Sequence, residues 1–361
     1  MNTGLAVAAA ALVALVAVAG CGSSKPGSVP SSTAPPAAVT AGASATAATS
    51  SPASAPPGMQ AAGAVGVQDV SFVSAGQGWA LGGGELVTTT DGGARWTRLP
   101  GPPGGLAHIR FASPQVGYGW TAAGSLWITT DGAASWHPGG LDQVLSLETA
   151  AGWVWSIAGA QPYPGIWRAP VGSTAWTNLG PTPDRSATLT VHGDVAYVVG
   201  QQGAGPIAPS LDVFAGTQPV RHEPLPCAQG QAYVPFAPLG VAADGLVYLV
   251  CDVINNQPSP PAQIQLAYES VNEGGSWRAV SPPPPQPPQG VTAVAGERFA
   301  WNSGPDLYLL TGHGWHVSLI DRGHGFSLVG FETDTQGIAL GTNGYLWITR
   351  NGGTRWSRVT V

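Results

Sequence analysis

Thr89-Thr90-Asp91-Gly92-Gly93-Ala94-Arg95-Trp96 returns forty residues later as Thr129-Thr130-Asp131-Gly132-Ala133-Ala134-Ser135-Trp136. A worn copy ends at Trp176, forty residues further on. Val271-Asn272-Glu273-Gly274-Gly275-Ser276-Trp277 and Thr349-Arg350-Asn351-Gly352-Gly353-Thr354-Arg355-Trp356 are two more copies. Trp315 stands 38 residues after Trp277 and 41 before Trp356. The 101 residues from Trp176 to Trp277 carry no marker between them and fit two enlarged units, with a degenerate marker near His222. Seven units of about 42 residues therefore span 67–361, and a period of that length means stacked or radial repetition.

Each unit repeats more than its marker. The first reads Val67 to Phe72, then Gly78-Trp79-Ala80-Leu81-Gly82, then Glu85-Leu86-Val87-Thr88-Thr89, then the marked turn and Arg95 to Leu99. The second and seventh keep that order, with Ile109-Arg110-Phe111, Gly119-Trp120 and Leu126-Trp127-Ile128 in one, and Val329-Gly330-Phe331, Gly337 to Gly341 and Leu346-Trp347-Ile348 in the other. Four short apolar strands per unit, separated by Gly-rich turns, predict an all-β fold: a seven-bladed β-propeller of four-stranded antiparallel blades. No strand is spare at either end. Blade 1 is thus expected to seal against blade 7 by packing alone, with Trp79, Trp96, Trp347 and Trp356 contributing.

The Ser/Thr-x-Asp-x-Gly-x-x-Trp element resembles the Asp-box, or BNR repeat. The fuller pattern resembles the photosystem II assembly and stability factor family and its sortilin-like and sialidase-like relatives. The resemblance covers essentially all of 67–361. It implies a propeller and, for the assembly factors, a scaffold role in membrane-complex assembly. Propellers host many activities, so the repeat speaks for fold before function. The marked turn is read as structural, a hairpin between third and fourth strands. Asp91 and Asp131, with Asn272 and Asn351 at the same offset, accept bonds from the turn's own amides. Trp96, Trp136, Trp277 and Trp356 pack between blades.

Catalysis finds little support in the residues. A glycosidase needs two carboxylates facing each other across a pocket. Innermost-strand candidates are Asp69 and Glu148, two blades apart. Most arginines near the markers (Arg95, Arg98, Arg278, Arg355, Arg358) belong to the periphery, which leaves no triad for a sialidase substrate. His108 beside Arg110 on an inner strand is read as a channel residue. Asp69, His108, Arg110, Glu148 and Tyr163 are the candidate channel or binding residues. No phosphate loop, metal-ligand run or cofactor motif is present, and neither cofactor nor metal is expected. The enlarged stretches, Ala160-Gln161-Pro162-Tyr163-Pro164, 201–210, 255–262 and the connection 282–288, all fall on one face over blades 3 to 6. Loops on a rigid scaffold are where binding concentrates.

Composition agrees. Charged residues are 9 %, Gly is 52 and Pro 34 of 361 residues, which disfavours helices. A 43 % hydrophobic content with 14 Trp disfavours disorder. The net charge of −6 and the absence of any basic run disfavour a nucleic-acid partner. Residues 1–20 carry no charged side chain and Leu5 to Ala19 is a nearly unbroken apolar run too short to span a bilayer. It ends in Val18-Ala19-Gly20-Cys21, which resembles a lipoprotein signal and marks Cys21 for lipidation. Of the 41 residues 22–62, 36 are Gly, Ala, Ser, Thr or Pro, a tether of roughly 35 Å reach within 21–66. Cys227 and Cys251, the remaining pair, are expected to form a disulfide. The sequence reading is an exported monomer, anchored to the outer face of the cell membrane, binding a protein partner or a glycan without catalysis. A glycoside hydrolase or glycan-binding propeller is the alternative.

Overall fold

The computed structural model describes residues 66–361 apart from 184–185, 202–208, 228–232, 237–238, 243–244, 256–261, 282–291, 296–297, 304, 312–313 and 322–323. The leader, Cys21 and the tether lie outside the described residues, as do 282–288 and most of 201–210 and 255–262.

Seven antiparallel sheets form seven blades, numbered in chain order, over 69–98, 106–138, 144–181, 186–224, 233–280, 292–320 and 326–359. Strands follow one another outward within each blade, so none is exchanged between blades. The inner strands are Asp69–Phe72, Leu106–Phe111, Val144–Ala150, Ser186–His192, Thr292–Ala295 and Phe326–Phe331, with the fifth blade's split into Tyr233–Phe236 and Leu239–Val241. Second strands are buried on both faces: Gly78–Gly82 and Gly337–Gly341 have no exposed residue. Such strands read as continuous apolar runs rather than alternating ones.

Alternate side chains of each second strand serve opposite seams. Trp79 and Leu81 pack towards blade 2, while Ala80 packs towards blade 7. The marker tryptophan always closes the seam with the preceding blade: Trp96 meets blade 7, Trp136 blade 1, Trp176 blade 2, Trp277 blade 4, Trp315 blade 5 and Trp356 blade 6. This corrects the expected closure. Of the four tryptophans named for the 1–7 seam only Trp96 is there, with Val67, Val70, Phe72, Ile338, Leu340, Leu346, Ile348 and Val361. Trp79 lies in the 1–2 seam, and Trp347 and Trp356 in the 6–7 seam, because the pleat sends them to the other face of their own blade. Val67 N–H donates to the Gly344 carbonyl (3.2 Å) and Arg350 Nη2 to the Gly92 carbonyl (2.7 Å), tying the first blade to the last.

The marked turns share one bond pattern. Asp91 Oδ1 accepts from Arg95 N–H (2.8 Å) and from the Thr89 hydroxyl (2.9 Å), whose oxygen accepts in turn from Gly93 N–H (2.9 Å). Asp131 with Thr129, Asn272 with Ser270, and Asn351 with Thr349 repeat it. The hydroxyl two residues before the Asp or Asn is therefore half of the device. These bonds hold Asp91 below the ordinary carboxylate range, the Arg95 amide foremost, and bring Asp131 down to about 2, Ser135's hydroxyl and amide foremost. Gly93 sits at φ 87°, and a Cβ there would meet Ile348 Cδ1 of blade 7 at 2.6 Å, so a side chain would require Ile348 to shift, whereas the second turn holds Ala133 in the same place at φ 75°.

Cys227 and Cys251 are bonded, with Cα atoms 5.4 Å apart, wholly buried in the 4–5 seam. Cys251 lies in the middle of the second strand Val247–Asn255. The bond ties the blade 4 to blade 5 connection to the core of blade 5.

Candidate functional site

The wall of the central channel carries the chain's one concentration of paired charge found among the described residues of the inner strands. Asp69 opens its strand: Oδ1 accepts from its neighbour Val70 N–H (2.8 Å) and Oδ2 from Ile109 N–H of blade 2 (2.9 Å). Ser71 Oγ repeats this two residues on, accepting from Phe111 N–H (2.9 Å). Buried polar side chains of one inner strand thus lace it to the next. His108 Nδ1 stands 3.4 Å from Asp69 Oδ2, half exposed, its ring stacked on Trp120 (centroids 5.0 Å).

Two residues along the blade 2 strand from His108, Arg110 Nη2 donates to Glu148 Oε1 of blade 3 at 3.0 Å. Of the two carboxylate candidates, two blades apart, Arg110 thus pairs with Glu148 and feels the charge of Asp69. Glu148 raises the affinity of Arg110 for its proton, with burial opposing and Asp69 and Glu332 assisting. Glu148 itself is raised above the usual carboxyl range, because burial outweighs the pull of Arg110. Glu332, one residue past the inner strand Phe326–Phe331, belongs to the same set. Its carboxyl reaches channel solvent yet is ringed by protein, which pushes it up to about 7, with Arg110 pulling it down and Glu148 pushing it up. Sequence reasoning missed Glu332. The signal was its two-residue step beyond Gly330, which matches Arg110 and Glu148 in the apolar-x-Phe register.

The structure brings Asp69, His108, Arg110 and Glu148 together and leaves Tyr163 apart, exposed on the loop between second and third strands of blade 3. A second charged feature escaped the sequence reading. Arg168 of blade 3 is 4 % exposed and lies over Trp153 (3.7 Å) and Trp155 (4.6 Å), paired with Asp194 of blade 4. Burial lowers its pKa and Asp194 opposes that, which makes it a plug of the 3–4 seam. Among the described residues no group of three or more His, Cys, Asp or Glu is placed to hold a metal ion. None of their helices is long and apolar enough to cross a membrane.

The fold and channel define a seven-bladed β-propeller. No family model matches the chain, and no curated protein does. Solved structures do. YCF48 bound to D1 peptide is 19 % identical with TM-score 0.54, over 79 % of this chain and 93 % of that one. Atg21 in complex with the coiled-coil of Atg16 is 9 % identical with TM-score 0.54, over 81 % and 98 %. The GH74 xyloglucanase from Xanthomonas campestris is 10 % identical with TM-score 0.51, over 81 % and 60 %. These likenesses share the fold, and enzymes and non-enzymes both occur among them.

Proposed function

We propose that this chain is a non-catalytic propeller scaffold, tethered through Cys21 outside the cell membrane, that holds a segment of a protein partner at its channel. One observation carries the choice of binding over hydrolysis: the channel carboxylates foreseen in the sequence are committed to the fold. Both oxygens of Asp69 accept backbone amides, and Glu148 is paired with Arg110. A carboxylate so engaged is a poor acid or base. Two propellers of like fold are seen with protein segments, YCF48 with D1 peptide and Atg21 with a coiled-coil of Atg16, which supports the same use here. Nothing in the chain points to photosynthesis, so the partner of YCF48 is not carried over.

Glu332 favours a second reading. A carboxyl near pKa 7, beside a second raised one, has the acidity of a glycosidase general acid. The two readings part on the purified protein: the scaffold leaves a panel of fluorogenic glycosides intact, whereas a hydrolase turns one over and loses that turnover in Glu332→Gln. Fatty-acid labelling tests the anchor. Label is expected on the exported chain and lost in Cys21→Ala; label retained by the variant refutes it.

A further inference from the structure

Five of the seven seams are closed by a Trp-marked turn reaching back from the next blade. Gly93 lies against Ile348, Gly274 against Leu211 and Gly353 against Leu309, while Ala133 is buried in the 1–2 seam and Gly172 N–H donates to Tyr118 Oη (2.9 Å) in the 2–3 seam. Blades 4 and 6 lack the turn. Their third strands end at Ala215 and Thr311, and their fourth strands begin at Gln218 and Gly314. In the 3–4 seam the chain fills the place itself, with Arg168 on Trp153 and Trp155, its Nη1 3.3 Å from where a Cβ on Gly216 would stand.

In the 5–6 seam Trp315 packs on Phe299 and its Nε1–H donates to the Ser281 carbonyl (2.7 Å), but among the described residues no cation stacked on aromatics takes the outer place that Arg168 fills in the 3–4 seam. Strand pairing sets Trp155 opposite Arg168 in blade 3 and Tyr248 opposite Glu269 in blade 5. The same register puts Leu246 where blade 3 has Trp153. The plug's cation has thus become a carboxylate and its outer aromatic a leucine. A groove of about 700 Å³ remains, walled by Leu246, Tyr248, Val271, Val280 and Leu310 with Glu269 inside. Val271 is 83 % exposed. Glu269 is 13 % exposed and paired with Arg278, itself 80 % exposed on the rim.

We infer that this groove docks a turn of a partner protein carrying a basic side chain beside an aliphatic or aromatic one. The turn takes the place that a marked turn holds in five other seams and that blade 6, with only two residues between Thr311 and Gly314, is too short to supply. Its apolar residue covers Leu246, Val271 and Leu310. Its cation meets the Glu269 carboxylate, whose present counter-ion is an exposed arginine held by little more than a surface pair. The groove lies outside the channel, so this inference does not depend on the channel being a binding site.

The probe is a fluorescein-labelled synthetic peptide with the sequence of residues 89–96, which is itself a marked turn with Arg followed by Trp. Fluorescence polarisation with the full-length protein is expected to show saturable binding. Val271→Asp should weaken it about tenfold, as should a peptide with Glu in place of its arginine, while Glu269→Gln weakens it less. Val271 is exposed, so its variant folds, and an unchanged thermal melt checks this. No saturable binding up to roughly 1 mM overturns the inference. So does binding indifferent to Val271→Asp and to the peptide's charge. A concentration-dependent dimer in sedimentation that Val271→Asp abolishes makes a second copy the occupant and overturns the partner assignment.

Discussion

Trp96→Ala tests how the ring is closed. With no strand exchanged between the first and last blades, the 1–7 seam rests on side chains. Trp96 is its largest, 7 % exposed and edge-on to Phe72 at 6.2 Å. Truncating a buried indole costs about 4 kcal/mol, from lost transfer energy and the cavity left behind. Trp96 Nε1–H has no acceptor among the described residues, and removing an orphan donor returns roughly 1 kcal/mol. The net loss is about 3 kcal/mol. A domain of roughly 300 residues has an unfolding entropy on the order of 0.6 kcal/mol per degree, so Tm should fall by about 5 °C. Calorimetry, with urea unfolding beside it, reads both quantities on the exported chain. Trp96→Phe should recover part of the loss, because a ring of similar shape still meets Phe72. A variant melting within about 1 °C of the parent would refute closure by packing.

Deleting 354–361 removes the strand Trp356–Val359 and the seam residue Val361 and exposes a sheet edge, so circular dichroism should show an unfolded or aggregated protein; a normal melt contradicts the blade phasing. Replacing Cys227 and Cys251 together by Ala opens a 24-residue loop and should cost about 3 kcal/mol on the chain-entropy scale, while in the parent the buried pair should resist thiol reagents until the protein unfolds. The carboxyl of Glu332 titrates near 7, above its unfolded value, so the folded state binds more protons than the unfolded one between the two pKa values. Stability contributed by that group is present below about pH 4.5 and lost as pH rises towards 7; Glu332→Gln should flatten that slope, and removing Arg110 should move the Glu332 carbonyl resonance to titrate higher still. In the second marked turn Asp131→Asn should melt above Asp131→Ala, because the amide oxygen keeps the bonds to Ser135 N–H and Thr129 that Asn272 and Asn351 make in their own turns.

Much of the fold was legible because the propeller writes its period into local chemistry. The Thr/Ser hydroxyl, the Asp or Asn two residues later, the glycine at positive φ and the Trp form one self-contained hairpin, so they survive as a contiguous string. What the string does not encode is direction across a blade. Trp79, Trp347 and Trp356 differ from Trp96 in which face of the pleat they occupy, and that shows only when strands are paired. The channel was half visible. Asp69, Arg110 and Glu148 are found from their place on inner strands, but the pairing of Arg110 with Glu148 joins residues 38 apart in different blades. Glu332 falls one residue outside its strand and Arg168 on a third strand, where sequence offers no reason to expect a buried cation. The groove in the 5–6 seam reflects a missing turn, and an omission is hard to see in one degenerate unit of seven.

The scaffold reading is tested most directly by photocrosslinking in the living cell. A photoreactive benzoylphenylalanine replaces Glu332 at the channel, Tyr163 on the enlarged-loop face, or Val220 on the exposed outer strand Gln218–Pro224 as control. The account predicts one discrete protein adduct from position 332 or 163 and none from 220. No adduct from any position, together with a fluorogenic glycoside that the parent hydrolyses and Glu332→Gln does not, would contradict it.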